Sequence, residues 1–200
     1  RLDWLSTTDR RSQSGGYLLP FGRLAYGTQA GSDRLIGPDT SASRMRFLLN
    51  LYPPFLFQGI RVLSIEEDFH GARVRVAKSL LTRNVMGTTF GGALMSAADP
   101  LFPLLYWKSL VKKGEYLSVW LKSLDSAFLI PATESGFFDF HLDPDKLKTA
   151  RKDLDQTGRA DLTDEIHACF ADGQKVARFR MVSALRLLEP GSPANPSRSG

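Results

Sequence analysis

The sequence predicts an α+β domain in which a curved antiparallel sheet wraps around one central apolar helix. Six segments between residues 59 and 188 alternate apolar and polar side chains with the period of two that strands show. One long apolar segment, residues 91–112, follows the second strand and has the composition of a buried helix. No strand is followed by a G-x-G-x-x-G motif or a P-loop, which argues against nucleotide-binding folds.

The length of 200 residues fits one domain with tails at both ends. We place the domain at residues 44–189, after an irregular N-terminal extension over residues 1–43 and before a polar tail over residues 190–200. No run of eighteen apolar residues occurs, so no transmembrane segment is predicted. A single cysteine, Cys169, excludes an internal disulfide and a cysteine zinc cluster.

The formal net charge is +5, and residues 1–46 account for +3 of it, with seven Arg against four Asp. This charge fits an acidic ligand such as a CoA phosphate or an anionic partner surface, or it has no functional meaning. The domain shows no basic stripe with interleaved aromatics, so no nucleic-acid binding is predicted. The Arg- and Ser-rich start is typical of residues that follow a mitochondrial targeting segment, although its Asp residues are not. The predicted location is therefore mitochondrial, with a cytoplasmic location as the alternative.

The residues before the central helix predict one short helix and two strands. Ser43 is a candidate N-cap for a helix over 44–51, and the Tyr-Pro-Pro-Phe run at 52–55 ends it, because proline restrains the residue before it. Alternating side chains predict strands over 59–65 and 72–77.

The central helix follows a loop over residues 80–90. It is predicted to span residues 91–112, with small side chains in its first half that allow a sheet to approach closely. Pro100 and Pro103 predict a kink within it.

Four further segments complete the predicted sheet, with one charged helix between them. The strands are 116–130, with a bulge near Asp125-Ser126, then 135–142, 160–170 and 175–188. The helix is predicted over 145–154, and Pro144 lies at its start, where a helix tolerates proline. Arginines alternate with apolar residues in the second and the last strand, so they either meet CoA phosphates or form a solvated face of the sheet.

The loop and the start of the central helix resemble a known signature. The motif reads Asn84-x-x-Gly87-x-x-x-Gly91-Gly92-Ala93-x-x-Ser96-x-Ala98-Asp99-x-x-Phe102. It is similar to the N-x-x-G-x-x-H-G-G loop and S-x-A-D-x-x-F helix of hot-dog thioesterases of the PaaI type. The chain also resembles a less characterised branch of the same superfamily. This second resemblance rests on Leu51-Tyr52-Pro53-Pro54, Gly87 to Gly92, Ala98-Asp99-Pro100, and Lys122-Ser123 with Phe128 to Pro131. The resemblance covers residues 44–189.

The resemblance implies a hot-dog fold, a dimer with its site at the interface, and an acyl thioester such as an acyl-CoA as substrate. It further implies Asp99 as general base or nucleophile, and the backbone N–H groups of Gly91 and Gly92 as oxyanion donors. Physical chemistry agrees, because the first turn of a helix has unpaired N–H groups and positive dipole character, which suit a developing oxyanion. No cofactor is predicted, and the three histidines share no spacing that would predict a metal site.

The spacing of these residues adds an inference about assembly. Gly92 and Asp99 are seven residues apart, which is about 10 Å along a helix. One carbonyl group cannot reach both, so cooperation requires the glycines of one chain to meet the aspartate of another. We therefore predict a two-fold homodimer, or a pseudo-dimer with a hot-dog paralogue.

Each candidate residue also has a purely structural interpretation. Phe90 replaces the histidine of the family motif, as it does in the less characterised branch, and leaves Asp99 as the one obvious titratable group. Asn84, Gly87 and Phe90 are the candidate substrate-binding residues, although an asparagine in a loop commonly stabilises a turn. Asp99 is alternatively a carboxylate paired with an arginine, and the glycines alternatively allow close packing of a helix on a sheet.

Two functions of different classes remain open at this point. The first is hydrolysis of an acyl-CoA or related acyl thioester. The second is a catalytically silent accessory subunit of a larger assembly, such as a mitochondrial complex, in which residues 1–43 and 190–200 lie along neighbouring subunits. The missing histidine, the long extension and the polar tail motivate the second function.

Overall fold

The computed structural model describes residues 36–188, so the predicted tail over 190–200 and residues 1–35 of the predicted extension lie outside the described residues. Five helices and six strands occupy the described part of the chain. In chain order they are α1 (Ala42–Leu51), α2 (Pro53–Phe57), β1 (Ile60–Ile65), β2 (Gly71–Val76), α3 (Gly91–Ala98), α4 (Leu101–Leu110), β3 (Tyr116–Phe128), β4 (Gly136–His141), α5 (Pro144–Thr157), β5 (Arg159–Cys169) and β6 (Lys175–Leu188).

The six strands form one antiparallel sheet in the order β1-β2-β4-β5-β6-β3. Helix α3 packs on β2, and α4 packs on β3 and β6. The core lies between these helices and the sheet, where Leu105 and Tyr106 of α4 and Phe138 and Phe179 of the strands are completely buried. The predicted α+β architecture, a curved antiparallel sheet around a central helical segment, is confirmed.

The central helical segment is two helices and not one kinked helix. Helix α3 ends at Ala98, and α4 begins at Leu101 with Pro100 as its N-cap. Pro100 has no N–H to continue the hydrogen-bond ladder of α3, so the predicted kink becomes a full break. This break places Asp99 in the joint between the two helices.

Strand β3 forms one edge of the sheet and is thirteen residues long. It pairs with β6 along its whole length, and the register shifts between Leu121 and Ser123. The bulge predicted near Asp125-Ser126 is therefore wrong, because the irregularity depends on how β3 meets β6 and not on local composition.

Helix α1 covers the opposite edge of the sheet, formed by β1. The N-cap is Ser41, whose hydroxyl accepts from the N–H of Arg44 at 3.3 Å, so the predicted cap at Ser43 is wrong by two positions. Asn50 donates from its amide nitrogen to the carbonyl of Val62 at 2.9 Å and accepts from the Val62 N–H at 2.8 Å. The asparagine thus satisfies the backbone of an edge strand that would otherwise be open to pairing.

Asn50→Ala should lower the free energy of unfolding by about 1–3 kcal/mol, because both backbone groups of the buried Val62 lose their partner. Chemical denaturation measures the loss. Gln156→Ala, at an exposed position of α5, is the control and should change stability by less than about 0.5 kcal/mol. Equal stability of Asn50→Ala and the wild type would contradict a role for Asn50 in protecting the edge.

The last residues of the predicted extension are tied to the domain by Lys108 of α4. Its ammonium group donates to the carbonyls of Gly37, Pro38 and Thr40 and lies 4.4 Å from the centre of the Phe69 ring. The pKa of Lys108 lies below its ordinary value, because burial lowers it by more than the nearby charge of Asp39 raises it. Residues 37–40 therefore pack on the domain directly before α1. Over residues 36–188, no helix combines the length and the apolar character needed to cross a membrane.

Candidate functional site

Asp99 lies in a cavity of about 410 Å³ between α2, the α3–α4 joint and β3. Each of the three elements contributes one wall. The lining residues are Tyr52, Pro54, Phe55, Gln58, Ser96, Asp99, Pro100, Pro103, Val119, Trp120 and Leu121. A cavity of this size, with mostly apolar walls and few polar groups, is typical of small-molecule sites.

The Asp99 side chain forms no hydrogen bond and no ion pair with any residue between 36 and 188. Asp99 is exposed to solvent, because the cavity is open on one side. The apolar walls nevertheless remove enough water to raise the pKa of the carboxyl group above its ordinary value. Asp99 is thus a carboxyl group in a cleft that no arginine among residues 36–188 pairs with.

The start of α3 presents free backbone donors. Neither the N–H of Gly91 nor that of Gly92 has an acceptor among the described residues. Phe90 occupies the N-cap position and makes no side-chain capping bond, where Ser, Thr, Asp or Asn would usually supply one. The first turn of α3 is thus able to bind an anion or an oxyanion.

Two aromatic rings lie against these glycines. A Cβ atom added to Gly91 would lie 2.8 Å from Cζ of Phe128, and one added to Gly92 would lie 2.3 Å from Cε1 of Phe90. Both rings are about half exposed. A Cβ at either position would meet the outer part of a half-exposed ring, which would have to turn aside.

Asn84 and Gly87 organise the loop before α3. The Asn84 side chain donates to the Thr88 hydroxyl at 2.8 Å and accepts from the N–H groups of Met86 and Thr88 at 3.0 and 3.1 Å. Gly87 has a φ of 81°, a conformation that favours glycine. The side-chain amide of Asn84 therefore forms its hydrogen bonds within its own loop. This is the turn-stabilising role that is common for an asparagine in a loop.

The chain brings together some of the predicted residues and keeps others apart. Phe90, Gly91 and Gly92 meet at one end of α3, and Asp99 follows the other end, about 10 Å away along the helix. Sequence analysis missed Tyr52, Gln58 and Trp120, which form the walls around Asp99. The Tyr-Pro-Pro-Phe run, interpreted as a helix end, also begins the short helix α2. Tyr52 and Gln58 flank this helix as its N-cap and C-cap.

Other candidate groups are engaged elsewhere. Burial raises the pKa of the Cys169 thiol, which disfavours the reactive thiolate. Arg186 pairs with Asp161 at 2.7 Å, and Arg73 lies 3.5 Å from Asp139. In the described part of the chain, no group of three His, Cys, Asp or Glu residues could hold a metal ion.

Several solved structures share this architecture, and some of them are described as thioesterases. A protein of unknown function from Pseudomonas aeruginosa, described as a "Probable Thioesterase", has a TM-score of 0.63 and 20% identity and covers 72% of this chain and 93% of its own. A Chlorobaculum tepidum protein of unknown function has a TM-score of 0.60 and 14% identity, covering 73% of this chain and 96% of its own. A Haemophilus influenzae thioesterase has a TM-score of 0.57 and 13% identity, covering 76% and 96%. At these identities the likeness establishes the fold alone, and the chain has the predicted hot-dog fold.

The family model "Domain of unknown function (DUF4442)" matches residues 41–184, and the chain belongs to this family. The search of curated proteins matched no sequence.

Proposed function

We propose that this protein hydrolyses an acyl-CoA or a related acyl thioester at a site shared between two chains. The observation that carries the proposal is the unpaired carboxyl group of Asp99 in its cavity, one helix length from the free donors of Gly91 and Gly92. The fold is also that of proteins described as thioesterases. Asn84 and Gly87 hold the loop that leads to the donors, and Phe90 supplies apolar contact for the substrate beside them.

A second chain completes the site in this proposal. Strand β3 borders the Asp99 cavity and is an edge strand whose outer side has no strand partner among residues 36–188. A long edge strand is a template for pairing with another copy. Two-fold pairing with antiparallel central helices brings Gly91 and Gly92 of one chain towards Asp99 of the other.

The reaction follows from these positions. The thioester carbonyl oxygen accepts from the N–H groups of Gly91 and Gly92, which stabilise the negative charge that forms on it. The Asp99 carboxylate takes a proton from a water molecule as the water oxygen bonds to the carbonyl carbon. The carbon–sulfur bond then breaks, and the leaving sulfur takes up the proton, which yields a carboxylic acid and a thiol.

Mixing two inactive variants tests both the reaction and its division between chains. Gly91→Pro removes one N–H donor at a helix position that tolerates proline and should lower kcat by about 10²-fold or more. Asp99→Asn removes the base. A mixture allowed to exchange subunits should recover about a quarter of the wild-type rate of thiol release from a panel of acyl-CoAs, because half of the dimers then carry one intact site.

Gly91→Ala is the matched control, since it adds a Cβ against the same Phe128 ring and keeps the N–H. It should retain far more activity than Gly91→Pro. A wild-type protein that releases no thiol from any acyl-CoA would contradict the hydrolase proposal. An active wild type combined with a mixture of Gly91→Pro and Asp99→Asn that shows no recovery beyond the separate variants would place both groups in one chain.

Exposed apolar residues favour a protein partner as the second candidate function. In the loop before α3, Val85 and Met86 are almost fully exposed. This is the arrangement expected of an accessory subunit in a larger assembly, with residues 1–43 and 190–200 as further contacts. Constant co-purification with other chains would support that function. The mitochondrial location stays a prediction, because residues 1–35 lie outside the described residues.

A further inference from the structure

Large apolar side chains are exposed on α1, on α2, which contacts α1, and on the start of the loop before α3. In α1 the exposed Phe47 and Leu51 are one turn apart, on the side opposite the buried Met45 and Leu49. We call this surface the apolar face, and its members, each more than half exposed, are Phe47, Leu51, Leu56, Phe57, Leu80 and Leu81.

Backbone contacts hold the end of α2 near the start of the loop before α3. Gly59, two residues after the end of α2, accepts from the N–H of Ala77 at 2.8 Å. A Cβ added to Gly59 would lie 2.8 Å from Cγ2 of Thr82, which follows Leu81 directly. The two segments that carry the α2 part and the loop part of the apolar face therefore lie close together.

Between residues 40 and 99, the carboxylates are confined to Glu66, Glu67 and Asp68 of the β1–β2 turn and to Asp99 at the cavity, whereas cations are spread along these segments. No Asp or Glu occurs between residues 40 and 65 or between residues 69 and 98. Glu134 lies at the border, next to Thr133, whose carbonyl accepts from the ammonium of Lys78 at 2.7 Å. Six exposed cations between residues 40 and 98 form no ion pair with any described residue, namely Arg44, Arg46, Arg61, Arg75, Lys78 and Arg83.

We propose that the apolar face docks on the surface of an anionic lipid bilayer. Exposed Phe and Leu side chains enter the boundary between headgroups and acyl chains, and the surrounding Arg and Lys residues meet anionic headgroups. A second copy of this chain is a poorer occupant. A two-fold contact through the same face would bring the unpaired cations of both copies together, and like charges that face each other disfavour association.

Docking would set the Asp99 cavity beside the bilayer. Helix α2 carries Leu56 and Phe57 on the apolar face and Pro54 and Phe55 on the wall of the cavity. A substrate with a long acyl chain that partitions into lipid would then reach the cavity along α2. The docking itself does not depend on whether the protein hydrolyses thioesters.

Vesicle sedimentation with the full 200-residue chain tests the proposal. The protein should bind vesicles of phosphatidylcholine with phosphatidylglycerol, bind vesicles of phosphatidylcholine alone far more weakly, and be released by salt. Arg44→Gln with Arg83→Gln should weaken binding by about fivefold for each removed cation. Phe57→Ser with Leu81→Ser should weaken it by about tenfold or more.

Two control variants keep the result specific to the apolar face. Lys148→Gln with Lys152→Gln removes two exposed cations from α5, and Leu129→Ser removes a half-exposed apolar side chain outside the face. Both should bind as the wild type does. The proposal is overturned if the wild type does not bind anionic vesicles, or if all variants bind equally. It is also overturned if Phe57→Ser with Leu81→Ser disrupts a dimer in solution while the wild-type protein ignores vesicles.

Discussion

Asp99→Asn should lower kcat/KM for thioester hydrolysis by about 10²-fold or more, because the amide cannot accept the proton of the attacking water. The substitution keeps the shape of the side chain and therefore the walls of the cavity. No described residue would lose a partner, since the Asp99 side chain has none. The measurement is the rate of thiol release at substrate concentrations below KM, compared between the variant and the wild type.

The pH dependence of the same rate gives a second expectation. A base must be ionised, and the pKa of Asp99 lies above its ordinary value because of desolvation. The wild-type kcat/KM should therefore fall as the pH is lowered through that raised pKa, and the residual rate of Asp99→Asn should lack this limb.

As the pH rises through the pKa of Asp99, the stability of the folded protein should fall while the rate of hydrolysis rises. A carboxyl group whose pKa is higher in the folded state than in the unfolded state binds its proton more tightly when folded. Stability therefore falls as the pH rises from the unfolded pKa to the folded pKa of Asp99. At neutral pH the neutral Asp99→Asn should be at least as stable as the wild type, a difference typical of residues kept for function.

Asp172→Asn is the matched control for Asp99→Asn. Asp172 lies exposed in the turn between β5 and β6, where its carboxylate accepts from the N–H of Gln174 at 2.9 Å, a bond that asparagine can also make. This variant should hydrolyse thioesters at the wild-type rate. Equal rates for Asp99→Asn and Asp172→Asn would remove Asp99 from the mechanism.

Local pattern was sufficient to predict the order of helices and strands, but not where pairing becomes irregular. Strand β6 was predicted over the same residues that it occupies, because buried Phe179 and Met181 alternate with exposed arginines in its middle. The bulge in β3 was misplaced because it is set by contact with β6, about 60 residues away in sequence. The break after α3 was only partly predicted, since Pro100 indicates a disturbance but not its size.

In the candidate site, too, sequence could predict the residues of one motif but not those that the fold brings to it. Gly91, Gly92 and Asp99 lie within nine residues of one motif, so sequence could group them. Trp120 and Gln58 reach the same cavity from β3 and α2, and no local signal connects them with Asp99. Their contribution follows from the order of strands, which places β3 at the sheet edge beside the α3–α4 joint.

A buried polar network connects α4, α5 and β5 on another side of the core. Asp164 of β5 accepts from the hydroxyl of Tyr106 at 2.9 Å and from the ammonium of Lys146 at 2.7 Å. Tyr106 is completely buried, and Asp164 is nearly so. Burial, followed by the nearby charge of Asp164, raises the pKa of the Tyr106 hydroxyl, so it remains a hydrogen-bond donor at all ordinary pH values.

Asp164→Ala should therefore lower the free energy of unfolding by about 2–4 kcal/mol, one of the largest losses expected from a single change in this domain. The buried Tyr106 hydroxyl would have no acceptor, whereas Lys146, which is partly exposed, can turn towards water. Tyr106→Phe leaves Asp164 bonded to Lys146 and should cost about 1 kcal/mol. Asp125→Ala, at an exposed position of β3, should cost less than about 1 kcal/mol. Denaturant unfolding ranks the three variants, and a loss for Asp164→Ala no larger than that for Asp125→Ala would show that the network does not stabilise the contact of α5 with the sheet.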